Sequence, residues 1–97
     1  MNTLTLELTP IKAQSVSVTD AELIVSLEDG RTVSVPLAWY PRLFYGKAQE
    51  RQNWEFLGRG EGIHWPDLDE DIAVAHLLAG ISSGESQRSL QKWLESR

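Results

Sequence analysis

Hydrophobic and polar residues alternate along most of the first half of the chain. Val16 and Val18, then Leu23–Leu27, then Val33–Leu37 place apolar side chains two positions apart, which is the period of a strand with one buried face. Short polar turns separate the three runs, and the second turn ends at Gly30, a residue type that tolerates the positive φ of a tight hairpin. The pattern predicts a three-stranded antiparallel meander whose apolar face is covered by helix.

The residues ahead of this meander show the same period. Leu4, Leu6 and Leu8 alternate with polar residues, and Pro10 limits the run, since proline cannot donate a hydrogen bond to a neighbouring strand. We therefore expect an extra edge strand within residues 1–10.

Two prolines, Pro36 and Pro41, bracket the segment after the meander. Pro41 suits the first position of a helix, because its fixed φ is helical and that position needs no amide donor. A helix to about Gln52 is predicted, weakened by Gly46 into a short helix or two turns.

A hairpin is predicted next. Trp54 and Phe56 lie at strand spacing, Ile63 and Trp65 close the fifth strand, and three glycines occupy the loop between them. The loop lacks the lysine and serine of a phosphate-binding loop, and a strand follows it rather than a helix. A bulged hairpin turn is therefore favoured over a nucleotide site.

An acid-rich stretch follows the fifth strand. Asp67 or Asp69 is predicted to cap a helix over residues 69–79, with Glu70 completing a capping box. Apolar residues cover most of the circumference of that helix, so we expect it to be central and buried. Gly80 is expected to end it in the left-handed conformation.

The last predicted element is an amphipathic helix within residues 81–97. Ser82 and Glu85 form a second capping-box pattern, and Leu90, Trp93 and Leu94 share one narrow stripe. A narrow stripe at a chain end is typical of a helix that lies on another surface, either its own domain or a partner.

We expect a folded α+β domain over residues 1–80, with the terminal helix, residues 81–97, outside it. We expect an antiparallel sheet of about five strands, a meander plus a hairpin, with two to three helices.

The net charge of −5 disfavours a nucleic-acid partner. The chain has no cysteine, so disulfides and thiolate chemistry are excluded. Since neither a secretion signal nor a bilayer-spanning stretch is evident, a cytoplasmic location without membrane association is expected, and no cofactor is implied.

One group of side chains could carry chemistry: His64, Asp67, Asp69, Glu70 and Asp71. Carboxylates at a helix start satisfy free amide groups, and consecutive ones point in different directions around a helix. Capping is therefore favoured over a metal site, and no catalytic, cofactor or metal residue is assigned. A small metal-dependent or hydrolytic enzyme that uses this group remains the alternative.

Aromatic residues gather around a basic one after the meander. Such a group has three possible roles: packing in the core, contact with another protein, or stacking on single-stranded nucleic acid. We favour core packing over a protein interface, and a protein interface over nucleic-acid binding. The side chains expected to contact a partner are Trp39, Tyr40, Arg42, Tyr45, Leu90, Trp93 and Leu94.

Three motifs in order resemble a known bacterial family, domain of unknown function 2442, over residues 11–80. They are Asp29–Arg31, Val35–Leu43, and Ile63–Pro66 with Leu68–Ile72 and Leu77–Leu78. The residues interpreted as structural in these motifs are Gly30, Pro36, Pro41, His64, Trp65, Pro66, Asp67, Asp69 and Glu70. The resemblance implies a small α+β domain with helices after strands three and five. It also implies a bacterial member of a two-gene module, for which an antitoxin role has been suggested, without an established activity.

The sequence thus predicts a non-enzymatic protein-binding module. Its partner would be a small protein, in the narrowest form a basic toxin, or a second copy of the chain. The alternatives are the enzyme described above and a homodimeric structural protein.

Overall fold

The computed structural model describes residues 11–97, so the predicted strand Leu4–Leu8 lies outside the described residues. Within that range six strands and four short helices form an α+β fold, which confirms the predicted class. The strands are β1 (Ala13–Val18), β2 (Glu22–Leu27), β3 (Thr32–Pro36), β4 (Glu55–Leu57), β5 (Gly62–Trp65) and β6 (Glu70–Ala73). The helices are α1 (Pro41–Tyr45), α2 (Ala48–Gln52), α3 (Val74–Leu78) and α4 (Gln87–Glu95), and a 3-10 turn covers Leu37–Trp39.

The described strands form two antiparallel sheets of three strands each, ordered β1-β2-β3 and β4-β5-β6. The prediction of one sheet of about five strands is therefore wrong, although both of its parts are present. The meander is confirmed: Leu23 pairs with Val35, and Val25 pairs with Val33. Gly30 adopts a φ of +95° in the β2–β3 turn, as the hairpin requires.

The second sheet contains the predicted hairpin β4–β5 and a third strand that the sequence did not indicate. Trp65 pairs with Glu70, and Ile63 pairs with Ile72, across a loop in which Asp69 has a φ of +50°. Residues 70–73 are therefore a strand, and the predicted helix start at residue 69 is wrong.

The helix that follows is short and peripheral. α3 has five residues, of which Val74 and Leu77 are buried, so the prediction of a long central helix is wrong. Ala73 precedes it without a side-chain cap, which shows that Asp67 and Asp69 do not cap it. Its end is as predicted, since Gly80 has a φ of +74° and donates its amide to the Leu77 carbonyl.

The predicted helix from Pro41 to Gln52 is divided into α1 and α2 at Gly46. Pro41 occupies the start of α1 as predicted. Gly46 is extended, and a Cβ at this residue would lie 2.8 Å from a Leu68 methyl carbon. The break therefore lets the β5–β6 loop pack closely against the end of α1.

α4 begins later than the sequence predicted. Its cap is Ser86, whose Oγ accepts a hydrogen bond of 3.1 Å from the Ser89 amide. The predicted capping box of Ser82 and Glu85 is wrong, because the Glu85 carboxylate has another partner, described below.

Both sheets contribute to one core. Trp65 is fully buried in it and donates from Nε1 to the Arg51 carbonyl at 2.9 Å. The other fully enclosed large side chains are Leu23, Leu27, Leu37, Leu43, Ile63, Leu68, Val25 and Val74. No helix among residues 11–97 has the length and apolar character needed to cross a membrane.

Candidate functional site

Two open clefts meet where the segment between α3 and α4 crosses α1. One cleft, of about 530 Å³, lies beside the 3-10 turn and is lined by Trp39, Pro41 and Ser82–Glu85. The other, of about 410 Å³, is lined by Arg42, Asp69, Glu70, Ser83, Glu85 and Ser89. The Glu85 side chain borders both clefts.

Arg42 is the charged centre of this region. Its Nε and Nη2 donate to the Glu85 carboxylate at 3.0 and 2.6 Å, a two-pronged geometry that suits guanidinium and carboxylate. Its Nη1 donates to the Asp69 carbonyl at 3.0 Å. Ser89 donates its hydroxyl to Glu85 at 2.7 Å, and the Trp93 ring lies 5.4 Å from the Arg42 guanidinium. Arg42 and Ser89 together hold the pKa of Glu85 below its ordinary value.

Glu70 is the unusual carboxylate of the site. Because β6 pairs with β5, Glu70 faces the same side of the sheet as its neighbour Trp65, which is the core side. No group among residues 11–97 donates a hydrogen bond to its side chain. Burial raises its pKa to about 7, opposed by the charge of Arg42 and reinforced by the nearby carboxylate of Glu85.

A narrow pocket of about 70 Å³ adjoins Glu70 and is lined in part by Tyr40, His76 and Ser82. The Tyr40 hydroxyl donates to the Ile81 carbonyl at 2.8 Å. Burial, followed by the charge of Glu70, raises the pKa of Tyr40. The pocket is therefore half-buried and acidic, and the Tyr40 hydroxyl already donates its hydrogen bond within the chain.

His64 and Asp71 lie on the opposite face of the same sheet. They are paired residues of β5 and β6, and the His64 Nδ1 contacts the Asp71 carboxylate. The hydrogen bond to Asp71 is the main cause of a raised pKa at His64. The pair is a solvent-side contact across two strands, and Glu55, the β4 residue paired with His64, adds a second negative charge near the imidazole.

Asp71→Asn is expected to return the pKa of His64 toward its ordinary value, because asparagine supplies no negative charge to favour the imidazolium. Titration of the His64 ring protons by NMR measures this directly. Asp67→Asn is the matched control and should leave the His64 titration unchanged, since Asp67 accepts its hydrogen bond from Asn53. An unaltered midpoint in the Asp71 variant would show that the contact does not form in solution.

The acidic group predicted around His64 is dispersed by the fold. Asp67 contacts Asn53, Asp69 contacts Arg42, and the side chains of Glu70 and Asp71 lie on opposite faces of the sheet. Across residues 11–97, no three histidine or acidic side chains lie close enough together to hold a metal ion. The metal-dependent form of the enzyme alternative therefore has no clustered ligand set among residues 11–97.

The residues predicted to contact a partner have different environments. Tyr40 is only 4% exposed, so its side chain belongs to the core. Trp39 and Trp93 pack partly against the core, and Leu90 and Leu94 are half-buried. Arg42 is engaged within the chain, while Tyr45 is 53% exposed.

Two aromatic pairs, which we call the aromatic rim, consist of Phe44, Tyr45, Trp54 and Phe56. Three of these side chains are exposed, while Trp54 is half-buried against the core. Phe44 and Tyr45 meet edge to face with centroids 5.3 Å apart, and Trp54 and Phe56 are 5.0 Å apart. Both pairs border the β5–β6 loop: Gly46, next to Tyr45, packs on Leu68, and Asn53, next to Trp54, donates to Asp67. Only Tyr45 of these four was predicted to contact a partner, although the strand spacing of Trp54 and Phe56 was a usable signal.

Comparison with protein families identifies this architecture. The sequence model of a family described as protein of unknown function, DUF2442, matches residues 13–83, more than half of the chain. This protein belongs to the DUF2442 family. The resemblance inferred from the three motifs is thereby confirmed, while the antitoxin role it implied stays a prediction.

Solved structures agree with the fold of this DUF2442 protein. A crystal structure of a protein of unknown function from Rhodospirillum rubrum matches with a TM-score of 0.67 and 28% identity, over 84% of this chain and 99% of that one. The solution NMR structure of an uncharacterised protein from Chromobacterium violaceum matches with a TM-score of 0.65 and 18% identity, over 92% of this chain and 80% of that one. The second likeness shows the fold alone. No curated protein matches the sequence.

Proposed function

We propose that this DUF2442 protein is a non-enzymatic module that binds another protein through the aromatic rim. The observation that carries the proposal is the exposure of the rim, where Phe44 and Tyr45 are 44% and 53% exposed. Large apolar side chains grouped at the surface favour protein contacts, and tyrosine and tryptophan are frequent among the residues that dominate binding energy.

The chemistry beside the rim favours a basic partner. The β5–β6 loop between the two aromatic pairs carries Asp67 and Asp69, and the Asp69 side chain is 88% exposed. The chain as a whole has a charge of −5. A partner surface that combines apolar residues with lysine or arginine would therefore match, and a small basic toxin is the narrowest form of this proposal.

A paired substitution tests the rim. Phe44→Ser with Tyr45→Ser is expected to weaken capture of a partner from a bacterial extract by at least about tenfold, because anchor residues commonly contribute more than about 1 kcal/mol each. The measurement compares the amount of each copurifying protein with tagged wild-type and variant chains, at low and at high salt.

Leu78→Ser is the matched control, since Leu78 is an exposed apolar residue on α3 outside the rim. A partner retained by the Leu78 variant and lost from the rim variant would support the proposal. Equal recovery with both variants, or no partner with either, would refute it.

A further inference from the structure

The carboxyl-terminal arm, residues 85–97, is held to the domain by charged contacts and by Trp93, which packs partly against the core. No residue of α4 is buried. Glu85 is hydrogen-bonded to Arg42, and the terminal Arg97 pairs with Glu50 while its guanidinium lies 4.5 Å from the Trp93 ring. The Arg42–Glu85 pair is largely shielded from solvent, since the two side chains are 16% and 9% exposed, and breaking such a pair is costly. The arm therefore depends on one specific site on the domain.

The structure also places a hinge directly before the arm. Ile81 and Ser83 are tied to the domain, since the Ile81 carbonyl accepts from Tyr40 and the Ser83 amide donates to the Trp39 carbonyl at 3.0 Å. Gly84 follows with a φ of +70° and no atom within 4 Å of the position of a Cβ. One hydrogen bond crosses this glycine, from the Glu85 amide to the Ser83 hydroxyl at 3.2 Å.

The hinge coincides with the end of the segment that the DUF2442 family shares, which is residue 83. Arg42 thus belongs to the shared domain, whereas its ligand Glu85 belongs to the arm. Rotation at Gly84 would remove Glu85, Ser89 and Trp93 from Arg42 together, and it would also end the packing of Trp93 against the core.

We propose that this arm exchanges between two copies of the chain, so that Glu85 of each copy binds Arg42 of the other. The occupant of the Arg42 site is then a second copy, because the arm that complements the site in charge and shape is already present in the chain. Exchange preserves the contacts of the arm and requires a change only at the glycine hinge. Since a tethered arm has an effective concentration on the order of millimolar, the wild-type chain is mainly monomeric at micromolar concentration and dimerises as its concentration rises.

Charge reversal on separate chains isolates the exchanged form. In Arg42→Glu the Glu85 carboxylate faces a second carboxylate, and in Glu85→Arg two guanidinium groups face each other. Each variant alone therefore repels its own arm from the position 42 site. In a one-to-one mixture, each arm finds an opposite charge on the other variant. Asp69 and Glu70 also face position 42. These two carboxylates disfavour the Arg42→Glu variant alone, whereas they attract the guanidinium that the Glu85→Arg variant brings to the site.

The mass measured by light scattering during size exclusion at low salt is expected to double in the mixture and to remain that of a monomer for either variant alone. Circular dichroism verifies that both variants are folded. Arg42→Glu mixed with Glu95→Arg is the control, because Glu95 contacts only Gln91 within the arm, and this mixture should stay monomeric. A monomeric mixture of the two folded reversal variants would overturn the proposal.

If charge reversal prevents folding, a milder substitution at Glu85 tests the same contact with Arg42. Glu85→Gln should reduce the hydrogen-exchange protection of the arm amides, such as that of Leu90, by about tenfold or more, and should leave the β2 amides protected. Unchanged protection of the arm would also overturn the proposal. None of these substitutions alters the aromatic rim, so their outcome is independent of the function proposed above.

Discussion

Trp65→Ala is expected to lower the free energy of unfolding by about 3 to 5 kcal/mol, because Trp65 is the largest of the fully buried side chains. It is completely enclosed in the core, and its indole nitrogen donates to the Arg51 carbonyl at the end of α2. Alanine would leave a large apolar cavity and an unpaired acceptor, since the surrounding side chains can move in only partly.

Urea denaturation followed by far-ultraviolet circular dichroism measures this loss without depending on tryptophan emission. Trp54→Ala serves as the control, because Trp54 is partly exposed and packs on Phe56 at the edge of β4. A loss of about 1 kcal/mol is expected for it. Equal losses for the two variants would contradict the placement of Trp65 at the centre of the core.

The strands that were predicted correctly are those whose pattern is local. In β2 and β3 the core-facing apolar residues recur at every second position, although Ile24 adds an apolar residue on the outer face of β2, and a glycine at the required positive φ separates the strands. Alternation and turn chemistry agree there, so no distant contact is needed to decide the structure. The same agreement explains why the hairpin of β4 and β5 was found.

Residues 69–79 were predicted wrongly because two periods overlap in them. Ile72 and Val74–Leu78 satisfy a helical pattern as well as a strand followed by a short helix, and acidic residues ahead of an apolar run are typical of a helix start. The deciding factor is the pairing of Ile72 with Ile63 on β5. That contact is tertiary, and it overrides the local preference.

The candidate site was only partly predictable for a related reason. The sequence identifies Arg42 as the basic centre of an aromatic group, but the serine three residues before Glu85 indicates a helix cap there. Its actual partner is 43 residues away in the chain, a separation over which sequence pattern carries no information. The inward position of Glu70 could not be predicted either, because it follows from the pairing of β6 with β5.

That inward position makes stability depend on pH in a defined direction. The pKa of Glu70 is about 7 in the folded chain against an ordinary value of 4.5. Well below pH 4.5 the carboxyl is protonated in both states, so it contributes no difference. As the pH rises toward 7 the unfolded chain loses this proton first, which favours unfolding, and the full cost persists above the folded-state pKa of about 7.

Glu70→Gln removes this ionisation and is therefore expected to stabilise the protein at about pH 8 by about 2 to 3 kcal/mol relative to wild type. Near about pH 4 the two should be nearly equal, because wild-type Glu70 is then largely neutral as well. Urea denaturation at intervals between these two pH values measures the difference. Glu28→Gln makes the same chemical change in the exposed β2–β3 turn and should leave the wild-type profile as it is. A Glu70 variant that is less stable than wild type at the higher pH would instead mean that the ionised carboxylate is stabilised by Arg42, and that the charge of this arginine outweighs burial at the site.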